Sequence, residues 1–372
     1  MSARRKLFFQ KNPYRTEAAS PVFMQAIREN LRYHMANCPD YAALLQSRGF
    51  DMSCLKYEAD LWQIPAIPTL YLKRNRLFSI SRDQLSVEAE SSGTKGLQSQ
   101  VGFDRQTMFY GMAMIIRFFA FHKVISPIPA NYIILGYEPG GTELGAAKTA
   151  FGATRFAPAL HRAYALRRSG AEYTPNIEGI RAALMKYSRQ GFPVRFVGFP
   201  SYMYFLVKAL HDNGVSLKLH SKSKVLLGGG WKQFASEEID RGNFYALIHE
   251  TLGIGKENCL EFYSAVEHPL PYCKCKNGHF HVPAYSRAIV RDVGTLLPVE
   301  TGQAGLLSFV SPLVRSMPLT SVVTDDLAVL NDGKDCGCGI ETPFFTLLGR
   351  AGVEQIKTCA ADAAEMLGGA SL

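Results

Sequence analysis

Between residue 105 and about residue 263 the chain alternates helical spacing with short, unbroken apolar runs, and few folds accept that order. Apolar residues recur at helical intervals over 107–121, 177–190, 201–213 and 236–251. Each stretch leads to an apolar run: Asn131 to Gly136, Val194-Arg195-Phe196-Val197-Gly198, Val225-Leu226-Leu227 and Leu260-Glu261-Phe262-Tyr263. A strand that is apolar along its whole length must be covered on both faces, as parallel strands between helices are. The order therefore predicts an α/β fold with a parallel sheet covered by helices. Ligands of such sheets sit beyond the carboxyl ends of the strands, where Gly228-Gly229-Gly230 and Tyr263-Ser264 lie.

The flanks read differently. Met24, Ile27, Leu31, Tyr41, Leu44 and Leu45 predict helix over 20–48, with a break at Pro39. Pro65 and Pro68 predict an extended, packed connector over 61–73. After residue 270 the chain becomes β-rich, with strands expected at 279–283, 286–292, 304–310 and 320–330. Residues 351–372 have helical composition.

Composition narrows the function classes. The 372 residues are 47% hydrophobic and 20% charged, the balance of a globular protein with a large core. The net charge of +9 is scattered and forms no long basic run, so anionic nucleotides or an acidic partner explain it at least as well as nucleic acid. A zinc-stabilised nucleic-acid-binding protein is the reading that this scatter opposes. The basic start is followed only by Leu7-Phe8-Phe9, too little for a signal peptide. The greasiest stretch, Met108 to Ile125, is interrupted by Arg117, His122 and Lys123. These features predict a cytoplasmic chain with no membrane span, whose eight cysteines are reduced thiols or metal ligands.

Six short constellations carry chemistry, each with a plainer alternative. Ser91-Ser92-Gly93-Thr94-Lys95-Gly96 combines glycines, hydroxyls and a lysine, as a phosphate-binding loop does, yet it lacks the spacing of the common P-loop. Gly228-Gly229-Gly230-Trp231-Lys232 offers close backbone approach and a cation, or an ordinary turn. In Glu261-Phe262-Tyr263-Ser264-Ala265-Val266-Glu267 an aromatic ring suits a purine and a carboxylate suits Mg²⁺; a strand end with a solvated glutamate is the alternative. Thr324-Asp325-Asp326 suits ribose hydroxyls, or an Asp-rich turn. Cys273 and Cys275, His279 and His281, and Cys336 and Cys338 supply soft ligands in the number that a closed, structural zinc site needs, unless they are simply reduced thiols. Cys359, beside Lys357 at a helix start, is a nucleophile or a packed small residue.

In this order the segments resemble the adenylate-forming enzymes, most of all the acyl-protein synthetases of bacterial luminescence, the LuxE family, and more distantly phenylacetate–CoA ligase. The resemblance covers nearly the whole chain, beginning with Ile64-Pro65-Ala66-Ile67-Pro68-Thr69, similar to the family's Pro-x-x-Pro-Thr connector. It implies an adenylate-forming large domain with a β-rich C-terminal lobe and without the full swivelling C-terminal domain. On this reading 1–90 is a helical N-terminal region, 91–270 the α/β nucleotide-binding core, 271–350 the β-rich lobe with a zinc site, and 351–372 a helical tail.

The resemblance also implies roles. Residues 91–96 cradle phosphate, Gly228 to Lys232 line the site, and Tyr263 and Ser264 lie near adenine. Glu267 is associated with Mg²⁺, Asp326 with ribose, and Arg350 closes the site beside Gly349. Cys275, His281, Cys336 and Cys338 hold Zn²⁺, and Cys359 carries the acyl group. The implied reaction is ATP-dependent activation of a fatty or aromatic acid to an acyl-adenylate, with transfer to Cys359 and onward to a reductase, transferase or carrier protein. Transfer to coenzyme A, and a non-catalytic nucleotide-binding subunit, are the alternatives. Where the family has Thr-Gly-Asp this chain has Thr324-Asp325-Asp326, and the added carboxylate must point away from the nucleotide phosphates.

Overall fold

Prolines divide the N-terminal region where the spacing places the break. Helix α1 (Ala3–Phe8) precedes α2 (Ser20–Asn37), which has Pro21 in its first turn. Cys38 is extended, and Pro39 starts α3 (Pro39–Ser47), because proline lacks the N–H that a first turn leaves unused. The connector is only partly extended. Ile67–Pro68 forms the short strand β1, and Pro68, held at φ −64°, passes directly into helix α4 (Thr69–Arg74). The expectation of an extended segment through residue 73 is corrected there: Pro68 blocks helix before itself but not after.

The computed structural model describes residues 2–16, 19–90, 99–139, 152–169, 172–231 and 238–351. They fall into two bodies, Met1–Phe121 with Ala265–Leu372, and His122–Ser264. These cuts differ from those drawn on the sequence, because the N-terminal helices and the β-rich lobe share one body.

In the first body β2 (Leu85–Glu90) and β3 (Gln100–Asp104) pair antiparallel. Helix α5 (Arg105–Phe121) follows β3 directly.

The second body carries the parallel sheet. Its strands are β4 (Ala130–Tyr137), β5 (Ala159–Ser169), β6 (Glu172–Pro175), β7 (Val194–Gly198), β8 (Lys224–Gly228) and β9 (Cys259–Tyr263). Within this body they lie in the order β9-β8-β7-β4-β5-β6, all parallel except β6, which pairs antiparallel with β5. Helices α6 (Ile177–Ser188), α7 (Pro200–Asp212) and α8 (Arg241–Leu252) cover one face. Leu184, Leu206, Leu210 and Ile248 pack there on Ile133, Phe196, Val225 and Leu227. Each such side chain contributes about 1.5–3 kcal/mol relative to exposure. Strand β5 carries His161, Arg162, Arg167 and Arg168 exposed, so no apolar run announces it.

The first body then closes with β10 (Tyr272–Cys273), β11 (Phe280–His281), β12 (Arg287–Arg291), β13 (Ala304–Val310), β14 (Ser321–Asn331) and β15 (Phe344–Arg350). Strands β11-β15-β14-β13-β12 form an antiparallel sheet. Strand β1 adds in parallel to β14, with Ile67 opposite Val322 and Pro68 opposite Val323. That register brings the start of α4 beside residues 324–326. Among the described residues, no helix is long and apolar enough to cross a membrane.

Candidate functional site

Strand β14 is buried from Ser321 to Thr324 and emerges at Asp325 and Asp326, where two adjacent carboxylates point to opposite faces. The Asp325 carboxylate accepts a hydrogen bond from Thr69 Oγ1 at 2.7 Å and pairs with Lys73 Nζ at 3.0 Å. Thr69 and Lys73 stand one turn apart on α4, so both reach the same acid. The second carboxylate therefore does not crowd its neighbour, and its charge is matched. Asp326 lies opposite Arg350 of β15, with Arg350 Nε 3.5 Å from its carboxylate. The Arg350 side chain is 68% exposed against 19% for Asp326, so solvent screens the pair and Arg350 is loosely held. Glu267 is only 5% exposed, yet among the described residues its carboxylate takes no hydrogen bond or ion pair. A carboxylate on a largely buried side chain, with no donor among the described residues, fits a hard cation.

In the second body, β8 ends at Gly228, and Gly229 and Gly230 take φ of +81° and +63°. That left-handed backbone disfavours a side chain by roughly 1–2 kcal/mol per residue. Trp231 then turns inward and packs on Tyr204 and Phe244 at ring separations of 5.5 and 5.9 Å. Tyr263 ends β9 partly buried, and Ser264 follows it exposed. Glu261, two residues earlier, is already engaged: Arg241 Nε donates to it at 3.0 Å and the Tyr245 hydroxyl donates to the same oxygen. Burial, and then the Glu261 charge, push the Tyr245 phenol up, so it stays the donor. Of the two acids flanking Tyr263 in sequence, only Glu267 is open to a ligand.

Cys275, His281, Cys336 and Cys338 come together with their ligand atoms within 4.8 Å of one another. Cys275 and Cys336 sulfurs are 3.5 Å apart, and Cys338 Sγ is 3.2 Å from His281 Nε2. His281 Nδ1 is 2.8 Å from the Thr342 carbonyl and donates to it, which turns Nε2 toward the sulfurs. Burial opposes ionisation of Cys275, but hydrogen bonds from His281 and the backbone of His279 and Asn277 prevail and draw it down to about 6. Burial and the neighbouring Cys275 and Cys338 push Cys336 up to about 12. Protein donors stabilise one thiolate; three need a cation. Three sulfurs and one imidazole at these separations fit tetrahedral Zn²⁺. Cys273 lies outside the cluster, and His279 instead stacks on Phe344 at 4.3 Å with Nδ1 3.2 Å from Cys336 Sγ.

Ser91, Ser92, Gly93, Thr94, Lys95, Gly96, Lys232 and Cys359 lie outside the described residues. The sequence reading overlooked the Asp325–Thr69–Lys73 lock and the Glu261–Arg241–Tyr245 group. Thr69 was visible in its motif, but nothing local tied it to a residue 256 positions away.

A family profile described as "Acyl-protein synthetase, LuxE" matches residues 2–368. A long-chain-fatty-acid–luciferin-component ligase of Vibrio harveyi is 25% identical over 324 residues, covering 81% of this chain and 77% of that protein. A phenylacetate–coenzyme A ligase of Thermus thermophilus is 23% identical over 326 residues, covering 85% of this chain and 66% of that protein. A crystal structure of 2-hydroxyisobutyryl-CoA ligase in complex with its acyl-AMP superposes with a TM-score of 0.67 at 14% identity, covering 92% of this chain and 71% of that one. That likeness establishes the adenylate-forming fold.

Proposed function

The chain belongs to the acyl-protein synthetase family, and from that premise we propose that it activates a long-chain fatty acid with ATP and captures the acyl group on its own Cys359. Activation of a carboxylic acid to an acyl-adenylate and transfer of its acyl group is the activity of the family. The observation carrying the finer reading is that the family match runs to residue 368 and so takes in Cys359.

The acid's carboxylate attacks the α-phosphorus of ATP, a P–O bond forms, and pyrophosphate leaves. The Cys359 thiolate then attacks the carbonyl carbon, the thioester forms, and AMP departs with the electron pair of the broken C–O bond. Neither step needs covalent help beyond that thiolate; positioning and charge balance carry the rest. In this reading Glu267 holds Mg²⁺, which when bound neutralises phosphate charge. Asp326 accepts from the ribose hydroxyls, and the loosely held Arg350 is free to exchange Asp326 for phosphate oxygen. Tyr263 and Ser264 lie against adenine, with Gly228, Gly229 and Gly230 allowing close approach. Lys232 and residues 91–96 add donors to the phosphates. The Cys275, His281, Cys336 and Cys338 set holds a structural Zn²⁺ with no open position and so takes no part in the chemistry. The setting is the cytoplasm, and an acyl-accepting reductase, transferase or carrier protein follows.

Incubation with ATP and a panel of fatty and aromatic acids, followed by intact mass, tests this. The wild-type chain should gain one acyl mass and release AMP. Cys359→Ser should retain acid-dependent pyrophosphate exchange and gain none. The relative named phenylacetate–coenzyme A ligase supports a second reading, transfer to coenzyme A, for which an equal acyl load on Cys359→Ser and acyl-CoA in solution would be the signature.

A further inference from the structure

Strand β7 carries an arginine where a parallel-sheet strand ordinarily carries an apolar residue. Arg195 is 2% exposed, and neither its Nε nor its Nη1 has a hydrogen-bond partner. The group acting on it is the Tyr132 hydroxyl, which is also shared with the backbone of Ala157. No carboxylate is paired with it among the described residues. Buried guanidinium groups are otherwise satisfied by acids or carbonyls, so an orphaned pair of donors is the exception that calls for an acceptor.

The neighbours deepen the imbalance. In register, Arg162 of β5, Tyr132 of β4, Arg195 of β7 and Lys224 of β8 form one row across the sheet. Ile133, Val194, Phe196 and Val225 belong to the core under α6 to α8, so the row faces the opposite side. It crosses the amino ends of the strands, at the far end of β8 from Gly228. Burial, and then the charges of Arg195 and Lys123, lower the Lys224 ammonium; Glu257 is the carboxylate acting against them. Lys224 also donates to Asn258 Oδ1 at 3.0 Å and is only half-buried, whereas Lys123 and Arg162 are exposed. Lys123 holds a left-handed φ of 56°, uncommon for a side chain of its size. The row thus runs from solvent to a buried guanidinium with two unused donors.

We propose that Arg195, with Lys224, forms an oxyanion-binding site that takes a phosphoryl group at the amino end of the sheet, separate from the strand ends read as nucleotide-binding. Nε and Nη1 of Arg195 point to opposite sides of the guanidinium, so an oxyanion takes one of them, and the neighbouring ammonium completes its charge. The same chemistry serves free phosphate and the phosphoryl head of a larger monoester.

The test uses the full chain and calorimetric titration with inorganic phosphate, against chloride at equal ionic strength. Saturable binding should appear, weakened at least about tenfold by Lys224→Gln and abolished by Arg195→Met, while pyrophosphate exchange by Lys224→Gln stays at the wild-type level. If Arg195→Met does not fold, Lys224→Gln and Arg162→Gln decide. Glycerol 3-phosphate binding more tightly than phosphate identifies a monoester as the source; equal affinity identifies free phosphate. Absence of saturable binding, or binding unchanged in the variants, overturns the proposal. Exchange measured in parallel reports on acyl activation independently, so the two readings fail separately.

Discussion

The Cys275–His281–Cys336–Cys338 cluster and the Gly228–Gly230 turn each hold atoms ready for a ligand, by opposite means. In the cluster, cysteines 61 positions apart meet through side chains, and the turns that carry them are fastened by the same contact. In the turn, three consecutive residues do the work through backbone conformation alone, with φ of +81° and +63°. A site closed across long sequence separation is part of the fold's stability, whereas a site built into one turn can be damaged with the fold intact. Substitution should therefore unfold the first body through its cluster and disable the second through its turn.

Acid is expected to press hardest on the first body. Burial holds His34 at about 4 and His268 at about 3, below the ordinary 6.5, so both are neutral when folded and take up protons on unfolding. Stability is full above pH 6.5 and declines as the pH falls from there towards 4, by roughly several kcal/mol at the lower end. Thermal melts across that range should show the loss, with a shallower slope for His268→Gln; an equal slope would remove His268 from the account. Cys336→Ser should come next. A broken closed metal site costs on the order of 3 kcal/mol, roughly 6–12 °C in Tm, and elemental analysis should find the zinc gone. Unchanged metal content and melting would break the comparison at its cluster end.

Glu267→Gln sharpens the contrast within the first body. It should lower pyrophosphate exchange about 100-fold while Tm holds, because among the described residues its carboxylate has no protein partner to lose. Gly229→Ala should cost about 1–2 kcal/mol locally and reduce exchange roughly tenfold with the metal retained; full activity would show that the turn's conformation is incidental. The smallest effect is expected at the Asp325 lock. Asp325→Ala and Lys73→Met should couple by about 0.5–1 kcal/mol in a double-mutant cycle. Lys73→Met alone should raise the KM for ATP further than the double variant does, since it leaves the Asp325 charge uncompensated.

Much of this was legible beforehand where the signal was local. The runs at 194–198 and 225–227 became β7 and β8, and the late strands 304–310 and 320–330 became β13 and β14 within a residue. Strands β2 and β5 left little trace, since exposed Ser86, Glu88, Arg162 and Arg167 interrupt any apolar run. Asp325 was read as a charge problem, and only the pairing of β1 with β14 revealed its answer in Thr69 and Lys73.

The sequence by itself determined the parallel sheet, the glycine turn and the family's order of motifs, because hydrophobic period and glycine's backbone freedom act between near neighbours. Tertiary structure alone decided that Asp325 is neutralised by Thr69 and Lys73 and that, among the described residues, Arg195 is buried without an acid. Those outcomes depend on which strands lie side by side, and strand pairing joins residues whose separation along the chain carries no local signature.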